Sequence, residues 1–392
     1  LRMWLLRARL SGGHSAGAVD PGRKGRDATR VNTQRIENMV EKTDKSEQHT
    51  TTHLVAPGPH IIDTSLTTRR MMLDVLIALG PILVVAGIVF RTSLFKQLAI
   101  CVVACVAAEL LFTIMRRKAS SIGDLSAVVT GTILALSLPG TAPWYVAMIG
   151  AVVAIGLGKI VFGGLGQNIF NPAMVGRAFV MIAFAGAMGA TGYVDGSSSV
   201  SAITQPTPMH ILKQAGTVTP LASLFLGNTN GSMGETSALA CLLGGLYLCL
   251  RRTASWEIPV GVILAATCIG VVADADVTLS ALVLAVKMDG SALSTLMQTH
   301  WSVLHHLLGG ALLFGAFFIA TDPATSPLTP MGKFLFGLGI GALVMFMRMF
   351  SSYPEGVMFA VLVMNATVPL LNRVTIPRPL GGPVPATNVR GG

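Results

Sequence analysis

The chain has 392 residues, 52% of them hydrophobic and only 12% charged, with a formal net charge of +10 and a mean hydropathy of +0.66. A soluble domain carries roughly a quarter charged residues, so the composition excludes a water-facing globular surface and implies one that faces lipid. Nucleic acid is excluded as the reason for the positive charge, which collects in the N-terminal tail and short loops without interleaved aromatics, as the positive-inside rule places it.

Residues 1–68 are polar and irregular and are expected to form a disordered cytoplasmic tail. The opening "LRMWLLRARL" is too short and too basic to span. It lacks a small-residue cleavage site, so no signal peptide is expected. The first residue is Leu1, and Met39 is a candidate start. After "LTTRR", spans are predicted over 71–90, 96–115, 125–138, 143–162, 173–189, 236–250, 257–273, 303–320, 333–350 and 355–371. The fold class is therefore all-α: a polytopic integral membrane protein of about ten transmembrane helices, with a membrane domain over 69–372 and a cytoplasmic tail over 373–392. The runs 125–138, 173–189 and 236–250 are short, as expected where helices break to line a site.

Lys and Arg set the orientation. Arg69, Arg70, Arg116, Arg117, Lys118, Arg251, Arg252, Lys333, Arg373, Arg378 and Arg390 fall on one side. Arg91, Lys96, Lys213, Lys287 and Arg348 fall on the other. The first set is cytoplasmic by the positive-inside rule, which makes both termini cytoplasmic and the 190–235 loop external. "SIGDLSAVV" from Ser121 and "SMGETSALA" from Ser232 each open an apolar run and precede a Trp, Trp144 or Trp256. An odd number of spans separates them, so they enter from opposite faces, the mark of an inverted repeat. A looser echo joins "NPAMVGRAF" (Asn171–Phe179) to "LTPMGKFLF" (Leu328–Phe336).

Ionisable groups in or beside spans are costly and tend to be functional. The candidates are Asp74, Glu109, Asp124, Lys159, Arg177, Glu235, Asp322 and Glu355. Asp74, Arg177 and Glu355 sit at predicted span ends, where contact with water or headgroups accounts for them. Glu109 lies deep in its span and needs a partner or a water path. Asp124 and Glu235 hold equivalent places in the repeat, where a first-turn carboxylate also suits the helix dipole. The Gly-rich "FGGLGQNIFNPAMVGRAF", Phe162–Phe179, allows close backbone approach to a ligand. His305 and His306 read as interfacial. All five cysteines lie in apolar runs and read as buried thiols. Nothing matches a phosphate-binding GxxxxGK[ST] loop or a GxSxG or HExxH hydrolase motif.

"PGPHI…TTRRMMLDVLIALGP", "GLGQNIFNPAMVGRAF", "GETSALACLLGG", "TDPATSPLTPMGK" and "YPEGVMFAVLVMNATVPLLNR" stand in order along the chain. Together they resemble the D subunit of the Rnf electron-transport complex, and its relative, the B subunit of the sodium-pumping NADH:quinone oxidoreductase. The resemblance covers about residues 54–380. It implies a ferredoxin:NAD⁺ oxidoreductase of the bacterial inner membrane coupled to Na⁺ or H⁺ movement, with the A, B, C, E and G subunits as partners. It also implies FMN joined through its phosphate to a Thr hydroxyl by a flavin transferase, and raises a noncovalent riboflavin in the membrane part. The family's attachment pattern, Asp-x-x-Ser/Thr-Gly-Ala-Thr, falls on Ser201–Thr207 within "SSSVSAITQPTPMHILK", making Thr207 the acceptor and Thr204 the second choice. Ser201, Gln205 and Pro206 depart from that pattern. Lys213 or Arg177 would balance the flavin phosphate, with Asn230 and Glu235 lining the same site. A quinone-reductase component and a small-solute channel or transporter remain as alternatives.

Overall fold

The computed structural model describes residues 67–117, 122–189, 192–193, 203–204, 220–227, 229, 231–273, 303–351 and 356–376. The tail over 1–66, Thr207, Lys213, Asn230, Glu355 and residues 377–392 lie outside these described residues.

Helices account for nearly all of the architecture. α1 (Thr68–Phe90) starts where the Thr67 hydroxyl accepts from the Arg70 N–H, an ordinary N-cap. A single left-handed residue, Arg91 at φ 49°, turns the chain into α2 (Thr92–Met115). Then follow α3 (Ser126–Ser137), α4 (Trp144–Ile155), α5 (Pro172–Ala183), α6 (Ala185–Gly189), α7 (Leu221–Leu226), α8 (Ala238–Leu250) and α9 (Glu257–Ala273). The chain resumes with a turn of helix over 303–308, α10 (Leu312–Phe314), α11 (Pro330–Phe350) and α12 (Val357–Thr375). α4 and α10 each run on into a π-helical segment, Gly156–Ile160 and Gly315–Ile319. The only strands among the described residues are β1 (Gly192–Tyr193) and β2 (Ile203–Thr204), paired antiparallel.

α1, α2, α11 and α12 are long and apolar enough to cross a membrane. Their outward faces are apolar: Ile77, Val84 and Ile88 on α1, Phe95 and Val103 on α2, Phe346 and Phe350 on α11, and Leu370 and Val374 on α12 are all exposed. Apolar side chains therefore occupy both the core and the outer belt, which is why so few charges suffice.

Two predicted spans turn out to be broken. The 173–189 run stops at Phe184 (φ −129°, ψ 45°) and restarts as α6. The 303–320 run parts at Gly309–Gly310, with Gly310 at φ 70°. The carbonyls freed there, on His306 and Gly309, accept from the Arg348 guanidinium of α11. An arginine inside the bundle thus terminates a helix, a role the local sequence of 303–320 does not announce. The last helix also reaches Thr375, past the predicted boundary at 371.

Glycines bring helix axes close, as small residues do in membranes. α9 and α11 run parallel, with Gly261 against the Phe334 carbonyl and Gly337 and Gly341 against the carbonyls of Ile258 and Val262. α4 and α5 run antiparallel, with Gly176 against the Gly150 carbonyl and Gly158 against the Pro172 backbone.

The sequence echo is a structural one. α3 and α8 have 12 and 13 residues, roughly 20 Å of helix at 1.5 Å per residue, short of a bilayer core of about 30 Å. The end of α3 meets the lead into α8: Gly234 N–H donates to the Leu136 carbonyl (2.7 Å) and Met233 N–H to that of Leu138 (3.3 Å). At the other end, residues opening α3 and residues closing α8 line one cavity, Ser126 and Thr130 with Leu248, Thr253 and Ala254. The two half-helices therefore run in opposite directions, as an inverted repeat requires. The looser echo is also visible. In each copy a π segment leads through a loop to a capped, proline-led helix: Asn171 before Pro172, and Thr329 before Pro330.

Candidate functional site

A partly open cavity lies among α1, α3, the α4 π segment, the start of α5 and the loop after the second π segment. Its walls are mainly apolar, including Met71, Met72, Val75, Val129, Ile133 and Phe318. Polar groups reach it from Ser126, Thr130, Lys159, Asn168, Thr321 and Asp322. This balance of apolar walls and a few convergent polar groups is that of a site for an organic ligand.

Its ionisable groups among the described residues are Lys159 and Asp322, and Lys159 is the basic one. The π segment widens α4 by one residue per turn and carries Lys159 inward, where its side chain is 1% exposed. Nζ donates to Glu109 Oε1 (2.6 Å) and to Ser126 Oγ (2.5 Å). Ser126 in turn donates from its hydroxyl to Asp124 Oδ1 (2.6 Å), which also accepts the Ser126 backbone N–H (2.8 Å). Glu109 is fully buried on α2. The partner it requires is therefore a lysine 50 residues away in sequence.

The loop between the π segment and α5 is tied down by side-chain-to-backbone hydrogen bonds. Asn171 Oδ1 caps α5 by accepting from Ala173 and Met174, and its Nδ2 donates to the Ile319 carbonyl (3.2 Å). Asn168 accepts from Gly166 and donates to the Phe170 carbonyl. With its amide oriented to satisfy both neighbours, Asn365 donates to the Thr325 carbonyl and accepts from Asn171 N–H. Asp322 receives the Ala324 N–H and the Thr325 hydroxyl. Burial raises the pKa of its carboxyl, against the pull of those two donors.

A second cluster lies at the junction of the half-helices. Arg177 on α5 reaches Glu235 Oε1 through both terminal nitrogens (3.4 Å each) and donates to Ser232 Oγ (3.2 Å). These two predicted site residues are thus brought together, but deep in the fold and bonded to each other. Glu235 does not cap α8. Ser237 does, accepting from Ala240 N–H.

Other expectations are revised. Asp74 and Arg177 are buried, not interfacial. Asp74 takes hydrogen bonds from Tyr247, Arg251 and Thr253 and ties α1 to the end of α8. His305 is buried as well. Among the cysteines, Cys101, Cys105 and Cys241 are buried, whereas Cys268 is exposed on α9. Asp124 and Glu235 share a register but differ in role, one on the lysine string and the other on the arginine cluster. Sequence reasoning marked Lys159 and Glu109 separately and missed their pairing and the cavity. The signal for Lys159 was a cation in an apolar run.

The two sets of basic residues separate in space. Arg69 and Arg70 at the start of α1, Arg116 bonded to the Ile160 carbonyl, Arg251 bonded to Asp74 and Lys333 bonded to Ser255 share the end nearest the cavity. Arg91 and Arg348 lie at the opposite end.

The profile of the NQR2, RnfD, RnfE family matches residues 54–381. A relative from Acetobacterium woodii, named as the D subunit of a Na(+)-translocating ferredoxin:NAD(+) oxidoreductase complex, is 38% identical over 83% of this chain and 95% of its own. The D subunit of an ion-translocating oxidoreductase complex from Stutzerimonas stutzeri is 39% identical over 80% of this chain and 92% of its own. The D subunit of a proton-translocating ferredoxin:NAD(+) oxidoreductase complex from Clostridium ljungdahlii is 37% identical, covering 83% and 96%. With the match extending over nearly all of the membrane domain, this chain belongs to the NQR2, RnfD, RnfE family.

Proposed function

We propose that this chain is the D subunit of an Rnf-type, ion-translocating ferredoxin:NAD⁺ oxidoreductase and that it carries flavin. Family membership along the whole membrane domain is the observation that carries this reading. Relatives of similar identity are named for Na⁺ and for proton translocation. The chain acts with the A, B, C, E and G subunits in the bacterial inner membrane. The basic end faces the cytoplasm, and the 190–235 loop faces outward.

FMN is attached on that loop through a phosphoester to Thr207, made by a flavin transferase, with Lys213 as the nearest counter-charge in sequence. A loop hydroxyl is reachable by a modifying enzyme in a way that a core hydroxyl is not. Arg177 and Glu235, bonded to each other, hold the lead into α8, which follows that loop in sequence. The cavity around Lys159 takes a noncovalent flavin, riboflavin in the simplest case. Its apolar walls suit a fused-ring ligand, and Asn168, Thr130 and Thr321 are among the polar groups that line it. Flavin supplies one-electron chemistry when bound, while the protein fixes its position and potential.

Co-expression with the transferase followed by denaturing electrophoresis tests the attachment. A fluorescent band is expected from the parent chain and none from Thr207→Val. A fluorescent Thr207→Val band together with a dark Thr204→Val band would move the attachment to Thr204. A dark parent band would remove covalent FMN from the proposal.

A further inference from the structure

We propose that Lys159, oriented by Glu109 and Ser126, is the fixed cation that sets this cavity's preference for the reduced, anionic form of a bound electron carrier. This rests on the reading that the cavity holds a noncovalent flavin.

Lys159 lines the cavity, and Glu109 does not; the other ionisable group on its wall, Asp322, is already held by the Ala324 N–H and the Thr325 hydroxyl. The buried ion pair is therefore a dipole with its positive end toward the ligand. Two ammonium hydrogens go to Glu109 Oε1 and Ser126 Oγ. Lysine has three, and the third has no partner among the described residues. A buried pair of this kind is a poor device for stability, because the desolvation of both charges offsets their attraction. Once the fold has met that cost, however, the charge needs no reorganisation when negative charge appears at the site it faces. The π segment serves the same end. An ordinary α-helical turn would place residue 159 at another angle, and the widened turn directs it between α2 and α3.

Glu109 acts through Lys159 as a positioning residue. Its carboxylate accepts from the ammonium at 2.6 Å and so fixes where the charge sits. Ser126 opens α3 and fixes the direction of the ammonium by the second hydrogen bond. The inverted repeat does not duplicate this arrangement. The position matching Ser126 is Ser237, which caps α8, so this serine is tied to a lysine in one half only, the other half carrying the Arg177–Glu235 cluster away from the cavity.

The test uses the whole complex carrying Lys159→Met, Lys159→Arg, or Lys159→Met combined with Glu109→Gln. Acid-released flavin is counted chromatographically, and midpoint potentials come from a visible redox titration. Lys159→Met is expected to retain releasable flavin while its potential moves negative. Each tenfold loss of preference for the reduced form corresponds to about 59 mV for one electron. Lys159→Arg is expected to stay near the parent. The double variant leaves no uncompensated buried charge and is expected to show the same negative move in a folded complex. Retained flavin with an unmoved potential in Lys159→Met or in the double variant overturns the inference alone. A parent complex without releasable flavin overturns the cavity assignment and the inference with it.

Discussion

Glu109 and Lys159 show how much one buried pair constrains a membrane fold. Both are within 1% of full burial and 2.6 Å apart. Removing one partner strands the other in a low-dielectric interior, at a cost of about 3–5 kcal/mol, whereas replacing both together is often near neutral. Glu109→Gln alone is therefore expected to lower the thermal unfolding midpoint of the detergent-solubilised protein strongly. Adding Lys159→Met should restore much of the loss. A double variant no better than the single one would mean that the pair contributes more than charge compensation. Arg177 presents a related case with different geometry. Its guanidinium meets Glu235 and Ser232 together, an arrangement that the point charge of a lysine reproduces poorly. Arg177→Lys should thus destabilise the α8 lead nearly as much as Arg177→Met, as a drop in unfolding midpoint or raised proteolysis near Gly231.

Among elements, the contacts that matter are backbone to backbone. α9 and α11 approach until Gly341 touches the Val262 carbonyl, and a Cβ at 341 would lie 2.5 Å from that oxygen. Gly341→Val has to push the helices apart, and overpacking of this kind costs about 1–3 kcal/mol. The expected result is lower yield of folded protein and a lower midpoint. Gly80, on α1, has open space around the corresponding atom, so Gly80→Ala serves as the tolerated control. The half-helices α3 and α8 rely on the same kind of contact. The carbonyls left over at the end of α3 are met by the N–H groups of Met233 and Gly234, which removes the penalty of ending a helix away from water.

For the whole molecule, orientation follows from where the arginines gather. Substituted cysteines read it directly with a membrane-impermeant maleimide on intact cells. Arg91→Cys is expected to label and Arg252→Cys to stay protected until the membrane is opened. The reverse pattern would invert the topology and place the 190–235 loop in the cytoplasm, out of reach of an external transferase. The native Cys268 faces outward from an apolar stretch of α9. It is expected to react poorly in both conditions, since lipid covers such a face.

The sequence by itself determined the membrane class, most helix positions and the existence of an inverted repeat. Hydropathy and the positions of Gly, Pro and Arg act locally, over one helix length, and "SIGDLSAVV" and "SMGETSALA" are readable as strings. It also determined which ionisable residues were costly enough to need an explanation. Only the tertiary structure decided how those costs were met. Glu109 and Lys159 are far apart in sequence and meet only because α2, α3 and the π segment pack side by side. Arg177 and Glu235 meet only where α5 crosses the lead into α8. The break at Gly309–Gly310 depends on Arg348 arriving from another helix. Each of these is a long-range electrostatic match in a medium that tolerates no unpaired charge, and no local pattern encodes which partner supplies it.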